Sequence, residues 1–154
     1  MEIKVQAFES LDSTNNYLKK LASEGAAEGT VVIADAQTAG RGRMGRSFAS
    51  APGCGIYMSM LLRPENCTVD CASSLTAVAA VAVCRAVEKV CGRAPGIKWI
   101  NDLYLRGRKI CGILCESSVR DGKVEYAVLG IGLNVTTKDE DFPEELRGTA
   151  GSLY

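Results

Sequence analysis

The stretch of sequence that decides the fold class is Lys109–Val135, KICGILCESSVRDGKVEYAVLGIGLNV. Two apolar runs, Lys109 to Ser118 and Lys123 to Val135, flank Asp121-Gly122. Aspartate followed by glycine favours the tight turn of a β-hairpin, since both residues tolerate a positive φ. We therefore expect two neighbouring antiparallel strands here.

Working outward, strand-like and helix-like segments alternate before this hairpin. β-Branched or apolar runs predict strands at Ile3–Phe8, Thr30–Ala36, Ile56–Leu62 and from Ile97 through Trp99 on past Asp102. Helices are expected from Thr14 to a stop at Gly25, and from Thr68 or Asp70 to Cys91, the second buried on most of its sides. The fold class expected is α+β, a mixed, mostly antiparallel central sheet with helices packed against it.

Length and charge limit the kind of protein. A chain of 154 residues fits one domain with one core, and its 18 Lys and Arg balance its 18 Asp and Glu. Without a net field, neither nucleic acid nor a membrane is expected as a partner. The N-terminus lacks a signal-like apolar segment, and Leu75 to Cys84 covers about half of a membrane span. We expect a cytoplasmic protein.

Cysteine and histidine usage argue against a metal centre. The seven cysteines are scattered, which favours small buried thiols over a disulfide framework. Two pairs, Cys67/Cys71 and Cys111/Cys115, have a spacing that is looser than in most structural zinc sites, and there is no histidine. No tightly bound metal is expected. The lack of histidine also excludes Ser-His and Cys-His nucleophile pairs.

A glycine- and arginine-rich loop, Gly40–Arg46, predicts an anion site. Three arginines fall within six residues, and no acid lies between Asp35 and Glu65 to neutralise them. Planar guanidinium groups match carboxylate and phosphate oxygens, and the glycines allow the backbone to approach a ligand. Two other interpretations stay open at this point: a solvated basic loop and a nucleic-acid contact of the RGG kind. The residue order excludes a P-loop.

Three further segments accompany the loop. Ser13-Thr14-Asn15 opens the first helix, Lys98-Trp99 follows a Pro-Gly turn, and Gly130-Ile131-Gly132-Leu133-Asn134 ends an apolar strand. Each also has a purely structural interpretation: N-capping, an edge lysine beside a core tryptophan, and a β-bulge or tight bend, respectively.

Together these motifs resemble the biotin–protein ligase family. They follow the family's order and cover the chain from about residue 11 onward: Ser13-Thr14-Asn15; Gln37-Thr38-Ala39-Gly40-Arg41-Gly42-Arg43-Met44-Gly45-Arg46; Lys98-Trp99-Ile100-Asn101-Asp102-Leu103; Lys109-Ile110-Cys111-Gly112-Ile113-Leu114; and Gly130-Ile131-Gly132-Leu133-Asn134. The family usually has proline at the position of Ile100 and a Trp-aromatic pair at the position of Ser47-Phe48.

The resemblance implies an activity and a set of site residues. Members convert biotin and Mg-ATP into biotinyl-5′-AMP and then transfer biotin to a lysine of a carrier domain. By resemblance, Lys98 and Arg43 are the catalytic residues. The biotin-binding residues would be Ser13, Thr14, Asn15, Gln37, Gly40, Arg41, Gly42, Arg43, Lys98 and Gly112. The ATP-binding residues would be Arg43, Arg46, Phe48, Asn101 and Asn134.

The resemblance also implies partners and domain limits. Biotin, ATP with Mg²⁺, and the biotin carboxyl carrier domain of acetyl-CoA carboxylase or a related carboxylase are expected. Strand edges near Arg106–Gly112 are candidates for pairing with the carrier or, in a homodimer, with a second copy. Residues 1–154 would form a catalytic domain that is incomplete at its C-terminus, without the family's N-terminal DNA-binding domain or C-terminal β-barrel. The alternatives are a lipoate-type ligase, a non-catalytic biotin- or adenylate-binding fragment, and a basic-loop RNA binder.

Overall fold

The computed structural model describes residues 1–65 and 67–154, with the backbone alone for residues 69–73. A seven-stranded sheet has the order β1-β2-β3-β7-β6-β5-β4. The elements are β1 (Lys4–Leu11), α1 (Thr14–Ser23), β2 (Thr30–Gln37), β3 (Gly55–Leu62), α2 (Val69–Cys91), β4 (Gly96–Lys98), β5 (Asp102–Leu105), β6 (Arg108–Arg120) and β7 (Lys123–Asn134).

The sheet confirms the predicted α+β class. Only β1 and β2 pair in parallel, and the other five pairings are antiparallel. The β6–β7 hairpin supplies two central strands, with Asp121 (φ 51°) and Gly122 (φ 74°) at its turn as expected. Its register sets Gly112 opposite Gly132 and Leu114 opposite Gly130, so a strip of the sheet surface has almost no side chains.

The first helix begins and ends through side chains rather than through its intrinsic propensity. Ser13 is the N-cap, and its hydroxyl oxygen accepts from the backbone N–H of Asn16 at 3.4 Å. At the other end the Arg63 guanidinium donates to the carbonyl oxygens of Ala22 and Ala26, at 2.8 and 3.0 Å. These contacts fix α1 against the sheet, and its N-terminus faces the glycine strip.

The second helix is exposed on one side, so the prediction of burial on most sides was wrong. Ala80 and Val87 are buried against the sheet, whereas Val78 and Val90 are 65% and 81% exposed. Alanine and valine are spread around the whole helix, so hydrophobic periodicity could not distinguish its two faces. The helix ends where Gly92 adopts a left-handed conformation (φ 63°), as predicted.

The predicted strand from Ile97 past Asp102 was also wrong. It is two strands, β4 and β5, which form an antiparallel hairpin that pairs Lys98 with Asp102. The reversal occurs at residues 99–101, where the sequence has neither glycine nor proline to mark a turn. Trp99 lies at the tip and is 79% exposed rather than in the core.

The C-terminal residues pack beside the start of β6. The Lys109 N–H donates to the Thr149 carbonyl oxygen at 2.9 Å, and the Gly151 N–H donates to the Lys109 carbonyl oxygen at 2.8 Å. Leu153 is buried and bonds to the backbone of Asn134. The helix predicted at Pro143 is a single 3₁₀ turn, Glu144–Leu146. This segment forms one wall of the larger cavity described below.

The thiols are less uniformly buried than predicted. Cys111 and Cys67 are buried, Cys54, Cys84, Cys91 and Cys115 are half-buried, and Cys71 lies outside the described side chains. Burial raises the pKa of Cys111 to about 12 and that of Cys115 to about 11, so both are protonated at neutral pH. In the part of the chain that the structure describes, no helix has the length and apolar character needed to cross a membrane.

Candidate active site

Two cavities adjoin on one face of the sheet, beneath the loop Gly40–Arg46. The smaller has a volume of about 20 Å³ and the larger about 470 Å³. Four residues line both: Arg41, Phe48, Gly112 and Leu114. The smaller cavity is also lined by Ser13, Thr14, Asn15, Gln37, Met58, Gly130, Ile131 and Gly132. A ligand with two parts of different chemistry would therefore find one continuous site.

A closed polar network surrounds the smaller cavity. The Gln37 side-chain oxygen accepts from the backbone N–H of Thr14 at 2.9 Å, and its NH₂ group donates to the Ser50 hydroxyl at 2.8 Å. The hydroxyl of Ser59, which is fully buried, lies 2.6 Å from Asn15 Oδ1 and 2.8 Å from Thr14 Oγ1. Since buried polar groups keep their partners, these side chains present donors and acceptors in fixed directions.

Gly130 is required by Asn15. A Cβ atom at Gly130 would overlap the Asn15 amide, whose carbon would lie only 2.9 Å away. The helix N-terminus and the end of β7 can approach this closely only because β7 has no side chain at that point. The sequence signal for a ligand near these glycines thus corresponds to a real close approach, first of all by a protein side chain.

The ring of Phe48 covers the rest of the glycine strip. A Cβ atom at Gly132 would lie 2.5 Å from the ring, and one at Gly112 would lie 3.0 Å from it. The ring also makes an edge contact with Tyr57, with the centroids 6.3 Å apart. Phe48 therefore separates the two cavities and fills space above the strip.

The expectation that nothing neutralises the arginine loop was wrong. Glu116 of β6, far away in sequence, lies 3.0 Å from the Arg41 guanidinium and 2.9 Å from the Lys19 ammonium group. Arg43 donates to Asn101 Oδ1 at 2.9 Å. Among the described residues, the Arg46 side chain has no hydrogen bond or ion pair. The fold thus balances one arginine and leaves two directed at the larger cavity.

The environment of Glu116 favours its ionised form. Burial raises the pKa of this carboxyl group, but hydrogen bonds from Asn15 and Lys19 and the charges of Lys19 and Arg41 together lower it below its ordinary value. Glu116 is therefore an anion at neutral pH.

The larger cavity is lined by cations. Arg43, Arg46, Lys98 and Lys109 all line it, with Asp102 as the acid among them. The Lys109 ammonium group pairs with Asp102 at 2.8 Å, and the Lys98 ammonium group lies 5.1 Å from the centre of the Tyr104 ring. Four cations facing one carboxylate make this the natural position for a polyphosphate.

Asn134 supplies an unfilled acceptor at the same cavity. Its NH₂ group donates to the Gly151 carbonyl oxygen at 3.0 Å, whereas its side-chain oxygen is buried and has no partner. A buried acceptor without a donor costs about 1–3 kcal/mol. An N–H or O–H donor of a bound ligand would satisfy it.

The structure brings nearly all of the predicted site residues together. Those on the smaller cavity are Ser13, Thr14, Asn15, Gln37, Arg41 and Gly112; those on the larger cavity are Arg41, Gly42, Arg43, Arg46, Phe48, Lys98, Asn101, Gly112 and Asn134. Gly40 lines neither cavity and lies under the Phe48 backbone, with which its carbonyl oxygen bonds at 2.9 Å. The described side chains contain no cluster of three or more Cys, Asp or Glu groups suited to a metal ion.

Three functional candidates escaped sequence reasoning: Lys109, Ser59 and Glu116. Lys109 stood inside a quoted motif, but without the fold nothing distinguished it from Lys98. Ser59 and Glu116 lie in strands that are otherwise apolar, and a polar residue alternating with apolar ones is typical of the solvent face of a strand. The burial of Ser59 could have been found only by knowing that α1 covers this face.

The sequence model of the biotin/lipoate A/B protein ligase family matches residues 7–134, and the chain belongs to that family. The bifunctional ligase/repressor BirA of Bacillus subtilis (strain 168) is 44% identical over 143 residues, which cover 93% of this chain and 44% of that protein. The biotin–[acetyl-CoA-carboxylase] ligase of Mycobacterium tuberculosis is 39% identical over 145 residues, covering 92% of this chain and 51% of that protein.

Solved structures agree. A biotin protein ligase from Aquifex aeolicus in complex with biotin and ATP superposes with a TM-score of 0.79 at 33% identity, covering 98% of this chain and 60% of that one. The chain spans about half the length of the curated relatives it matches. The resemblance and the fold predicted from the motifs are thereby confirmed.

Proposed function

We propose that this chain acts as a biotin–protein ligase: it activates biotin with ATP to form biotinyl-5′-AMP and transfers the biotinyl group to a lysine of a biotin carboxyl carrier domain. The observation that carries the proposal is the junction of the two cavities at Arg41, Phe48, Gly112 and Leu114. A polar, enclosed end and a cationic, open end are what a neutral ring system and a triphosphate require. The relatives named above support biotin as the acid.

The ring system of biotin would occupy the smaller cavity. Its ureido group has one C=O and two N–H groups, which match the alternating donors and acceptors of Ser13, Thr14, Asn15 and Gln37. A cavity of about 20 Å³ is too small for a bicyclic ligand. The Phe48 ring must therefore leave the glycine strip as biotin enters, and the bound ligand then takes its place above Gly112 and Gly132.

In the first chemical step, a biotin carboxylate oxygen attacks the α-phosphorus of ATP. The new P–O bond forms as the bond to the bridging oxygen of pyrophosphate breaks, and the negative charge leaves with the pyrophosphate. Two anions must approach each other, so preorganised cations lower the barrier. Arg41, Arg43 and Lys109 lie nearest the junction, while Arg46 and Lys98 face the outer part of the larger cavity.

In the second step, the neutral amine of the carrier lysine attacks the acyl carbon of the mixed anhydride. The C–O bond to the phosphate breaks, AMP departs and the nitrogen loses a proton. Mg²⁺ enters with ATP as part of the substrate complex, and the proposal requires no resident metal. Asn134 would accept a hydrogen bond from the nucleotide through its vacant side-chain oxygen.

The direct test is incubation of the 154-residue chain with biotin, Mg-ATP and a carrier domain. We expect biotin-dependent release of pyrophosphate and a carrier whose mass increases by one biotinyl group. Lipoate in place of biotin should give neither product. Binding of biotin without pyrophosphate release would instead indicate a non-catalytic biotin binder, and no binding at all would refute the proposal.

Arg43→Ala should allow the adenylate to escape. Arg43 lines the larger cavity and is held towards it by Asn101, so its loss removes a charge-assisted contact from the loop that covers the anhydride. We expect release of biotinyl-AMP into solution, without carrier, to rise by about tenfold. Arg120→Ala, at the exposed far end of β6, is the matched control and should release the adenylate at the wild-type rate. Equal release by the Arg43 variant and the wild type would remove Arg43 from the loop's function.

A further inference from the structure

We propose that Glu116 is a positioning residue for the ligand of the smaller cavity, holding both Asn15 in the cavity wall and Arg41 in the loop above it. This inference rests on the proposed function, because the ligand concerned is biotin. Glu116 itself lines neither cavity. It acts through the two residues that do.

The first contact fixes the amide of Asn15. Glu116 Oε2 accepts from the Asn15 NH₂ group at 2.9 Å, while Asn15 Oδ1 lies 2.6 Å from the buried Ser59 hydroxyl. An amide has distinct donor and acceptor ends, so a carboxylate on one side and a hydroxyl donor on the other permit one orientation only. Without Glu116, the remaining contact of the NH₂ group is a long one, 3.5 Å to the Leu114 carbonyl oxygen.

The second contact ties the loop to the sheet. Glu116 Oε1 pairs with Arg41 at 3.0 Å and with Lys19 of α1 at 2.9 Å. Arg41 has one further partner, Asn16 Oδ1, at 3.2 Å. The carboxylate group therefore joins three separate elements, α1, β6 and the loop, at the edge of the smaller cavity. Loss of one carboxylate would disturb the cavity wall and its cover together.

The ion pairs are half-buried, which makes their effect measurable. The side chain of Glu116 is 20% exposed, compared with 36% for Glu125, which pairs with Arg120 at 3.5 Å near the far end of the hairpin. Exposed pairs of the second kind contribute little. Glu125→Gln is therefore a matched control: the same change, on the adjacent strand, in an ion pair that is remote from both cavities.

The test is calorimetric binding of two probes, biotin and biotin methyl ester, to the wild type, Glu116→Gln, Glu116→Asp and Glu125→Gln, with ATP titrated separately. Glu116→Gln should bind both biotin probes about tenfold more weakly, because a charge-assisted hydrogen bond to Asn15 becomes a neutral one and the ion pair to Arg41 is lost. ATP affinity and melting temperature should stay at wild-type values, and Glu125→Gln should be unchanged. Glu116→Asp should recover part of the loss, since the charge returns on a shorter arm.

A ligand-free measurement complements the titrations. Release of Arg41 should speed amide hydrogen exchange across residues 41–47 in Glu116→Gln and not in Glu125→Gln. Wild-type affinity in Glu116→Gln would overturn the inference and leave the proposed function standing. So would a loss confined to biotin with the ester unaffected, which would indicate a bulk charge effect, or an equal loss for biotin and ATP with a lower melting temperature, which would indicate a structural role. Failure of the wild type to bind biotin would overturn both.

Discussion

Gly130→Ala is expected to weaken biotin binding by about 100-fold or more, since a methyl group cannot be accommodated against a fixed side chain without displacing it. The added carbon would overlap the Asn15 amide, whose position is set by Ser59 on one side and Glu116 on the other. Asn15 would have to leave this network, and the wall of the smaller cavity would lose its orientation. Calorimetric titration with biotin measures the effect.

Gly96→Ala provides the control for this substitution. Gly96 lies in strand β4, has no atom within 4 Å of the position a Cβ would take and does not adopt a positive φ. It should bind biotin with wild-type affinity. Biotin affinity in Gly130→Ala within about twofold of wild type would show that Asn15 can move freely, and the fixed network around the smaller cavity would then be wrong.

Lys109→Met should lower the rate of biotin-dependent pyrophosphate exchange by about 100-fold, and Lys98→Met by clearly less. Lys109 is half-buried, and its side chain lies over Gly112, which lines both cavities; a Cβ added there would be 3.4 Å from Lys109 Cε. Lys98 is exposed in β4, where solvent screens its charge. The lysine nearer the junction should therefore contribute more to stabilising the developing charge.

The loss of Lys109 also leaves the Asp102 carboxylate without its ion-pair partner. A second variant, Asp102→Asn/Lys109→Met, separates the two effects, because it removes the orphaned charge together with the lysine. Exchange should stay low in the double variant, and Lys123→Met, at the remote hairpin turn, should match the wild type. Recovery of exchange in the double variant would assign the loss to Asp102, and a larger loss in Lys98→Met would reverse the ranking of the two lysines.

The sequence predicted the elements well where local chemistry determines them. Asp121-Gly122 specifies its turn through positive φ, Ser13 caps α1, and Gly92 ends α2, each without help from the rest of the fold. The reversal at residues 99–101 was missed because no glycine or proline marks it. It is held by pairing of β4 with β5, a tertiary interaction.

The candidate site was predictable in its residues but not in its electrostatics. The motifs identified Arg41 and Asn15, and the structure places both on the smaller cavity. Glu116, which neutralises Arg41, is 75 positions away along the chain and comes near it only through the order of strands in the sheet. A pattern read along the sequence has no access to that distance. The same holds for Phe48, whose ring reaches Gly112 and Gly132 across two strands.

Amide hydrogen exchange tests most directly whether one anionic ligand spans both cavities beneath the arginine loop. The wild-type chain would be compared alone, with biotin, with ATP, and with a non-hydrolysable analogue of biotinyl-AMP. The account predicts that the analogue slows exchange at residues 13–16 and 130–134 and across residues 40–48, where biotin alone slows only the first two segments. Exchange at residues 40–48 that is the same with and without the analogue would contradict it.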